Sequence, residues 1–130
     1  MHAVVRATLT LVVGIALAAC GSGATPSTNV PAPSVGAVVC VKVDTAGTVK
    51  VDIKDFSFKT DPIQAKVGDT ITWTNGDTTP HSAALDDGSC ATDTIQPGNS
   101  GSLQFTLAGT YPYHCAIHPT QMKGTIVVSG

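Results

Sequence analysis

The chain has 130 residues, 42% of them apolar and 12% charged, with a formal net charge of −2. That length holds one domain at most once a targeting segment is set aside, and the apolar fraction excludes a chain disordered throughout. From residue 20 onward there are six Lys and nine Asp with no Arg and no Glu, a formal −3, which leaves no basic footprint for nucleic acid.

At the N-terminus, Arg6 precedes an apolar run from Ala7 to Ala19 that is interrupted by Thr8, Thr10 and Gly14. A membrane span needs about 20 apolar residues, so this shorter run with its single cation reads as a signal peptide. It ends in Leu17-Ala18-Ala19-Cys20, followed by Gly21-Ser22-Gly23. That stretch resembles the bacterial lipobox. The resemblance implies a lipoprotein signal peptide over residues 1–19 and acylation of Cys20, with two or more chains holding the protein on the extracytoplasmic face of the cell membrane. An ordinary cleaved signal peptide with an incidental Cys, and an uncleaved anchor, are the alternatives.

Residues 20–36 are almost wholly Gly, Ser, Thr, Pro and Ala. Such a composition builds no core and reads as a tether, reaching some tens of ångströms at roughly 3 Å per residue when extended. From residue 37 to 130 the pattern changes to short β-type runs between turn clusters. Val38–Val43, Thr48–Ile53, Thr70–Thr74, Leu103–Leu107 and Gly124–Val128 are rich in Val, Ile and Thr or alternate apolar with polar. Breakers fall between them at Ala46-Gly47, Asp61-Pro62, Gly68-Asp69, Asn75-Gly76-Asp77, Asp86-Asp87-Gly88 and Pro97-Gly98. No longer window carries a helical period, and one helical turn near Ala83–Leu85 is the most that fits. These features predict an all-β domain, a Greek-key β-sandwich.

Chemistry concentrates in Tyr111-Pro112-Tyr113-His114-Cys115-Ala116-Ile117-His118-Pro119-Thr120-Gln121-Met122-Lys123-Gly124. Cys115 and His118 are spaced to reach one ion from a tight loop, and the Met122 thioether stands at the far end of that loop. A second imidazole is available upstream at His81, after Asn75-Gly76-Asp77-Thr78-Thr79-Pro80. Two imidazoles and a thiolate with a weak axial thioether suit copper cycling between Cu(I) and Cu(II). His114 falls on the opposite strand face from Cys115 and stays outside the set. Trp73, Tyr111, Tyr113, Phe56 and Phe58 read as core or inter-sheet packing.

The segments Asp55–Phe58, Val67–Asn75, Pro80-His81 and Tyr113–His118 through Gly124–Val128 resemble the plastocyanin/amicyanin branch of the cupredoxins, over about residues 48–130. The resemblance implies a type 1 (blue) copper site with His81, Cys115 and His118 as equatorial ligands and Met122 as the axial one. It also implies docking of redox partners at the edge of His118, among the small or apolar residues Pro80, Ala116, Ile117 and Pro119. Two features depart from the family. Three residues separate His118 from Met122, where relatives have two or commonly four, so Gln121 is an alternative axial donor through oxygen. Ser82 stands where many relatives have Asn, and a hydroxyl can supply part of that residue's bonding near the thiolate.

With Cys20 assigned to lipid and Cys115 to copper, Cys40 and Cys90 remain. In an oxidising compartment a Cys40–Cys90 disulfide is the economical pairing, two reduced thiols being the alternative. The expected function is one-electron transfer on a single copper by a monomer tethered outside the cytoplasm. The competing expectation is a copper-storage or copper-delivery protein, weakened by the single Met and single unpaired Cys of the mature chain. No enzyme activity is expected, because no nucleophile–base constellation and no second copper site is visible.

Overall fold

The structure, a computed structural model, describes residues 37–130. The expectations placed on residues 1–36, including the signal peptide, Cys20 and the tether, lie outside the described residues.

Alternation sets the architecture. In β2 (Val49–Lys54) the apolar Val51 and Ile53 are buried while Lys50, Asp52 and Lys54 face solvent, as a strand with one covered face requires. The remaining strands are β1 (Cys40–Val43), β3 (Ser57–Phe58), β4 (Ile63–Lys66), β5 (Thr70–Asn75), β6 (Ala84–Leu85), β7 (Ser100–Phe105), β8 (Gly109–His114) and β9 (Lys123–Ser129). They form a five-stranded sheet in the order β1-β7-β5-β2-β3 and a four-stranded sheet in the order β4-β9-β8-β6. Two parallel pairs, β2 with β5 and β4 with β9, arise because the chain crosses between sheets before returning beside an earlier strand. This is the predicted Greek-key sandwich.

Trp73, Phe105, Ile53, Ile63, Ile71, Leu103, Tyr113 and Ile126 fill the core at 2% exposure or less. The hydroxyl of Tyr113 lies 3.5 Å from the indole nitrogen of Trp73, and burial raises the Tyr113 pKa above its usual value. Opposite Tyr113 in the β8–β9 register stands Gly124. A Cβ there would meet the Tyr113 ring at 2.6 Å, so the glycine makes room for the aromatic rather than for a turn.

Cys40, the first residue of β1, is joined to Cys90 by the expected disulfide. Three details differ from the sequence reading. Ala84–Leu85 is a short strand pairing with β8 and not a helical turn. Strands β3 and β4 appear where no strand was predicted, and β8 extends the strand read at His114 back to Gly109. Phe56 belongs to neither core nor sheet interface, being 43% exposed.

Candidate metal centre

The ligand loop is closed by the register of β8 and β9, which pairs His114 with Lys123 and leaves residues 115–122 to turn between them. The Cys115 amide donates to the Met122 carbonyl at 3.0 Å, forming the neck. Inside it, the His118 amide donates to the Cys115 carbonyl at 3.0 Å, and the amides of Gln121 and Met122 both donate to the His118 carbonyl, at 3.2 and 3.0 Å. The three residues between His118 and Met122 are thus absorbed as one helix-like turn. That turn leaves the Met122 side chain buried at 1% exposure and Gln121 exposed.

His81 arrives from the other direction. After β5, the buried Asn75 folds the following turn. Its amide nitrogen donates to the carbonyls of Thr79 and Ile95, each at 2.9 Å, while its oxygen accepts the Asp77 amide at 2.9 Å. All three groups of a fully buried amide are thereby satisfied. His81 then exchanges both backbone hydrogen bonds with Ile95, at 3.1 and 2.7 Å, and its side chain is fully buried.

These two segments bring His81, Cys115 and His118 together, with one ligand atom from each lying within 4.8 Å of the others. Both Nδ1 atoms stand 3.7 Å from the Cys115 Sγ. Imidazole nitrogen and thiolate sulfur bound to one first-row ion at about 2.0–2.3 Å stand roughly 3.5–3.8 Å apart when they subtend a trigonal angle. The donor set therefore fits a single ion of copper type in spacing as well as in chemistry. The Ser82 amide donates to Sγ at 3.4 Å, and the Ser82 hydroxyl accepts the Ala116 amide at 3.0 Å. Ser82 thus ties the two ligand segments together, as anticipated for a hydroxyl at this position. His114 is excluded from the set and pairs through Nδ1 with Asp86.

Two residues that the sequence does not mark as part of the site complete its surroundings. Asp77, read there only as part of a turn cluster, takes the Nε2 of His81 at 3.0 Å through a carboxylate whose side chain is 12% exposed. With Nε2–H donated to Asp77, the Nδ1 lone pair of His81 is left facing the thiolate, the tautomer that a metal ligand needs. The same carboxylate accepts the amides of Asp55 at 2.7 Å and Phe56 at 3.0 Å. The Phe56 amide, with further help from Asp55 and His81, holds the Asp77 carboxyl below its usual pKa against the opposing effect of burial.

Phe56 itself lies edge-on to both imidazoles, its ring centroid 5.3 Å from that of His81 and 5.1 Å from that of His118. Its backbone is unusual. Asp55 and Phe56 are the two turn residues between β2 and β3, and both have φ of +53°. Such turns favour Asn-Gly. A bulky side chain in this region costs on the order of 1–3 kcal/mol and persists only where its surroundings enforce it.

A Greek-key sandwich that gathers two imidazoles and one buried thiolate at this spacing defines a cupredoxin. The family model for copper-binding proteins of the plastocyanin/azurin family matches residues 45–129, and the chain belongs to that family of electron-transfer cupredoxins. Amicyanin from Paracoccus denitrificans is 38% identical over 87 residues, spanning 63% of this chain and 66% of that protein's length. Amicyanin-alpha from Methylorubrum extorquens is 33% identical over 98 residues, spanning 72% of this chain and 82% of the relative. A solved structure of an oxidized amicyanin variant is similar at a TM-score of 0.62 and 30% identity, covering 70% of this chain and 99% of the other.

Proposed function

We propose that this chain is a one-electron carrier that holds one copper on His81, Cys115 and His118, with Met122 as the axial donor. The observation that carries the reading is the pair of 3.7 Å separations between Sγ and the two Nδ1 atoms. Copper would supply the Cu(I)/Cu(II) couple. The protein's part is to hold the same donors in place for both states, through the buried His81–Ile95 bridge, the closed 115–122 loop and Ser82. Burial of Met122 and exposure of Gln121 support the thioether as the axial donor.

Redox partners would dock near His118, which is only partly buried where His81 is fully covered. The exposed Phe56 ring (43%), edge-on to that imidazole, and the exposed side chain of Ile117 (44%), the chain neighbour of His118, suit a desolvated contact. On this reading the chain turns over no substrate and acts as a monomer. We further infer a lipoprotein organisation, with residues 1–19 as signal, Cys20 as the acylated residue, 20–36 as tether and 37–130 as the copper domain. The lipobox-like Leu17–Cys20 and the Gly/Ser/Pro-rich stretch after it support this.

The first test is the absorption and EPR spectrum of the copper-loaded chain beside that of Cys115→Ser. An intense blue band and narrow hyperfine splitting, both lost in the variant, are expected. An ordinary pale Cu(II) spectrum would sink the electron-transfer reading and favour copper storage or delivery. For the anchor, Cys20→Ser is expected to move the protein from the membrane to the soluble fraction.

A further inference from the structure

Asp77 joins two structures that are remote in sequence. One is the β2–β3 turn, where two non-glycine residues are held at positive φ. The other is the His81 ring, which is completely buried. Among the described residues, the hydrogen bonds that the Asp55 and Phe56 amides make at this turn both end on the Asp77 carboxylate, and so does the Nε2 of His81. A strained turn survives where something over-determines it, and here that is one carboxylate with three donors. The turn in turn sets Phe56 against both imidazoles.

We propose that Asp77 is the positioning residue of the metal centre, fixing the tautomer and rotation of His81 on one side and the Phe56 cover over His81 and His118 on the other. It touches neither Nδ1 nor the thiolate and acts only through the His81 Nε2–H and the turn. The consequence for the copper couple rests on the function proposed above. A carboxylate accepting the outer N–H of a ligand imidazole makes that imidazole a better donor and favours the more highly charged metal state. Without it, Cu(II) is less well held and Cu(I) gains. The positioning itself belongs to the polypeptide and is readable with no metal present.

The test therefore has two arms, each on the full chain with Asp77→Ala, Asp77→Asn and Asp77→Glu. In the copper-free arm, nitrogen NMR of the His81 ring reports the tautomer and amide hydrogen exchange reports the turn. The wild type is expected to show a single His81 form protonated at Nε2 and protected Asp55 and Phe56 amides. Asp77→Ala is expected to mix the tautomers and to speed exchange of both amides at least tenfold. Asp77→Asn, which keeps the side chain's shape but has one acceptor oxygen in place of two, is expected to lose at least one of the three bonds. Asp77→Glu is expected to recover part of the wild-type pattern.

In the copper-loaded arm, Asp77→Ala is expected to keep the blue band, since the ligands remain, while the balance moves about tenfold toward Cu(I). That shift is read as a rise of about 59 mV in reduction potential. A His81 ring and turn amides unchanged in both Asp77→Ala and Asp77→Asn would overturn the proposal. So would an unchanged potential in a variant whose blue band persists. Absence of a blue band in the wild type would instead remove the copper reading, and the copper-free arm would still decide whether Asp77 positions His81 and Phe56.

Discussion

Residues 115–122 carry Cys115, His118 and Met122 in one loop closed by its own backbone hydrogen bonds. His81, by contrast, is held by pieces from three places: the Asn75–Asp77 turn, the Asp55–Phe56 turn and the segment after Cys90, whose Ile95 bridges it. The loop is local, so its geometry follows from spacing along the chain. The His81 side is tertiary, so its geometry depends on contacts that no short window of sequence contains. Stability changes should therefore separate the two regions, with distant alterations felt on the His81 side and the loop answering to its own residues and to Ser82.

The largest effect should come from the disulfide. Cys90 precedes the segment whose Thr92 and Ile95 pair with Ala83 and His81, and it is tied to Cys40 across a separation of 50 residues. Replacing both cysteines by Ser should cost roughly 4 kcal/mol in the chain-entropy model, measured by urea unfolding of the copper-free chain. A loss below about 1 kcal/mol would mean that the segment next to His81 is held by β-pairing alone. Next comes Met122→Ala, expected to cost about 3 kcal/mol as a buried thioether is removed and to change the copper spectrum. Gln121→Ala beside it should stay within about 0.5 kcal/mol, as for other exposed positions, and leave the spectrum alone. A spectral change in Gln121→Ala with none in Met122→Ala would reverse the axial assignment.

Ser82→Ala removes one of the bonds that join the two regions, leaving the Ala116 amide without its Ser82 partner. A loss of about 1 kcal/mol is expected, with a small spectral shift because the Ser82 amide to Sγ remains. At neutral pH the least effect belongs to Tyr113. Its pKa is raised by burial in the folded chain, so its stabilising influence is intact below the free phenol's value near 10 and declines as pH climbs through the higher folded value. Tyrosinate absorbance should accordingly rise when the protein is unfolded at a pH just above the free phenol's value, as Tyr113 is released to ionise.

The same contrast explains what was legible in the sequence. The alternation of Lys50, Val51, Asp52 and Ile53 announces β2, and Cys115, His118 and Met122 announce the loop, because each signal lies within a few residues. Strand β6 was missed because Ala84–Leu85 is too short to alternate and is defined only by pairing with Tyr113 and His114. Strand β8 is legible only at its His114 end, because Pro112 interrupts the pattern although it sits in register opposite Thr125. An aromatic flank such as Phe56 usually belongs to the core, and nothing in Asp55-Phe56 advertises a left-handed turn. Asp77 could have been noticed from its position four residues before His81, but a carboxylate in a turn cluster is common. Only the fold shows that it meets the ring.

The turn before His81 also governs how the protein ages chemically. Asn75-Gly76 is the kind of dipeptide that deamidates readily in flexible chains, because an unhindered glycine nitrogen attacks the side-chain carbonyl and expels ammonia. Here the attacking nitrogen is occupied, the Gly76 amide donating to the Ile53 carbonyl at 2.8 Å. The departing nitrogen is occupied as well, held between the carbonyls of Thr79 and Ile95. The bonds that shape the approach to His81 therefore also preserve the asparagine they depend on, and a folded chain should keep this amide long after an unfolded one has lost it.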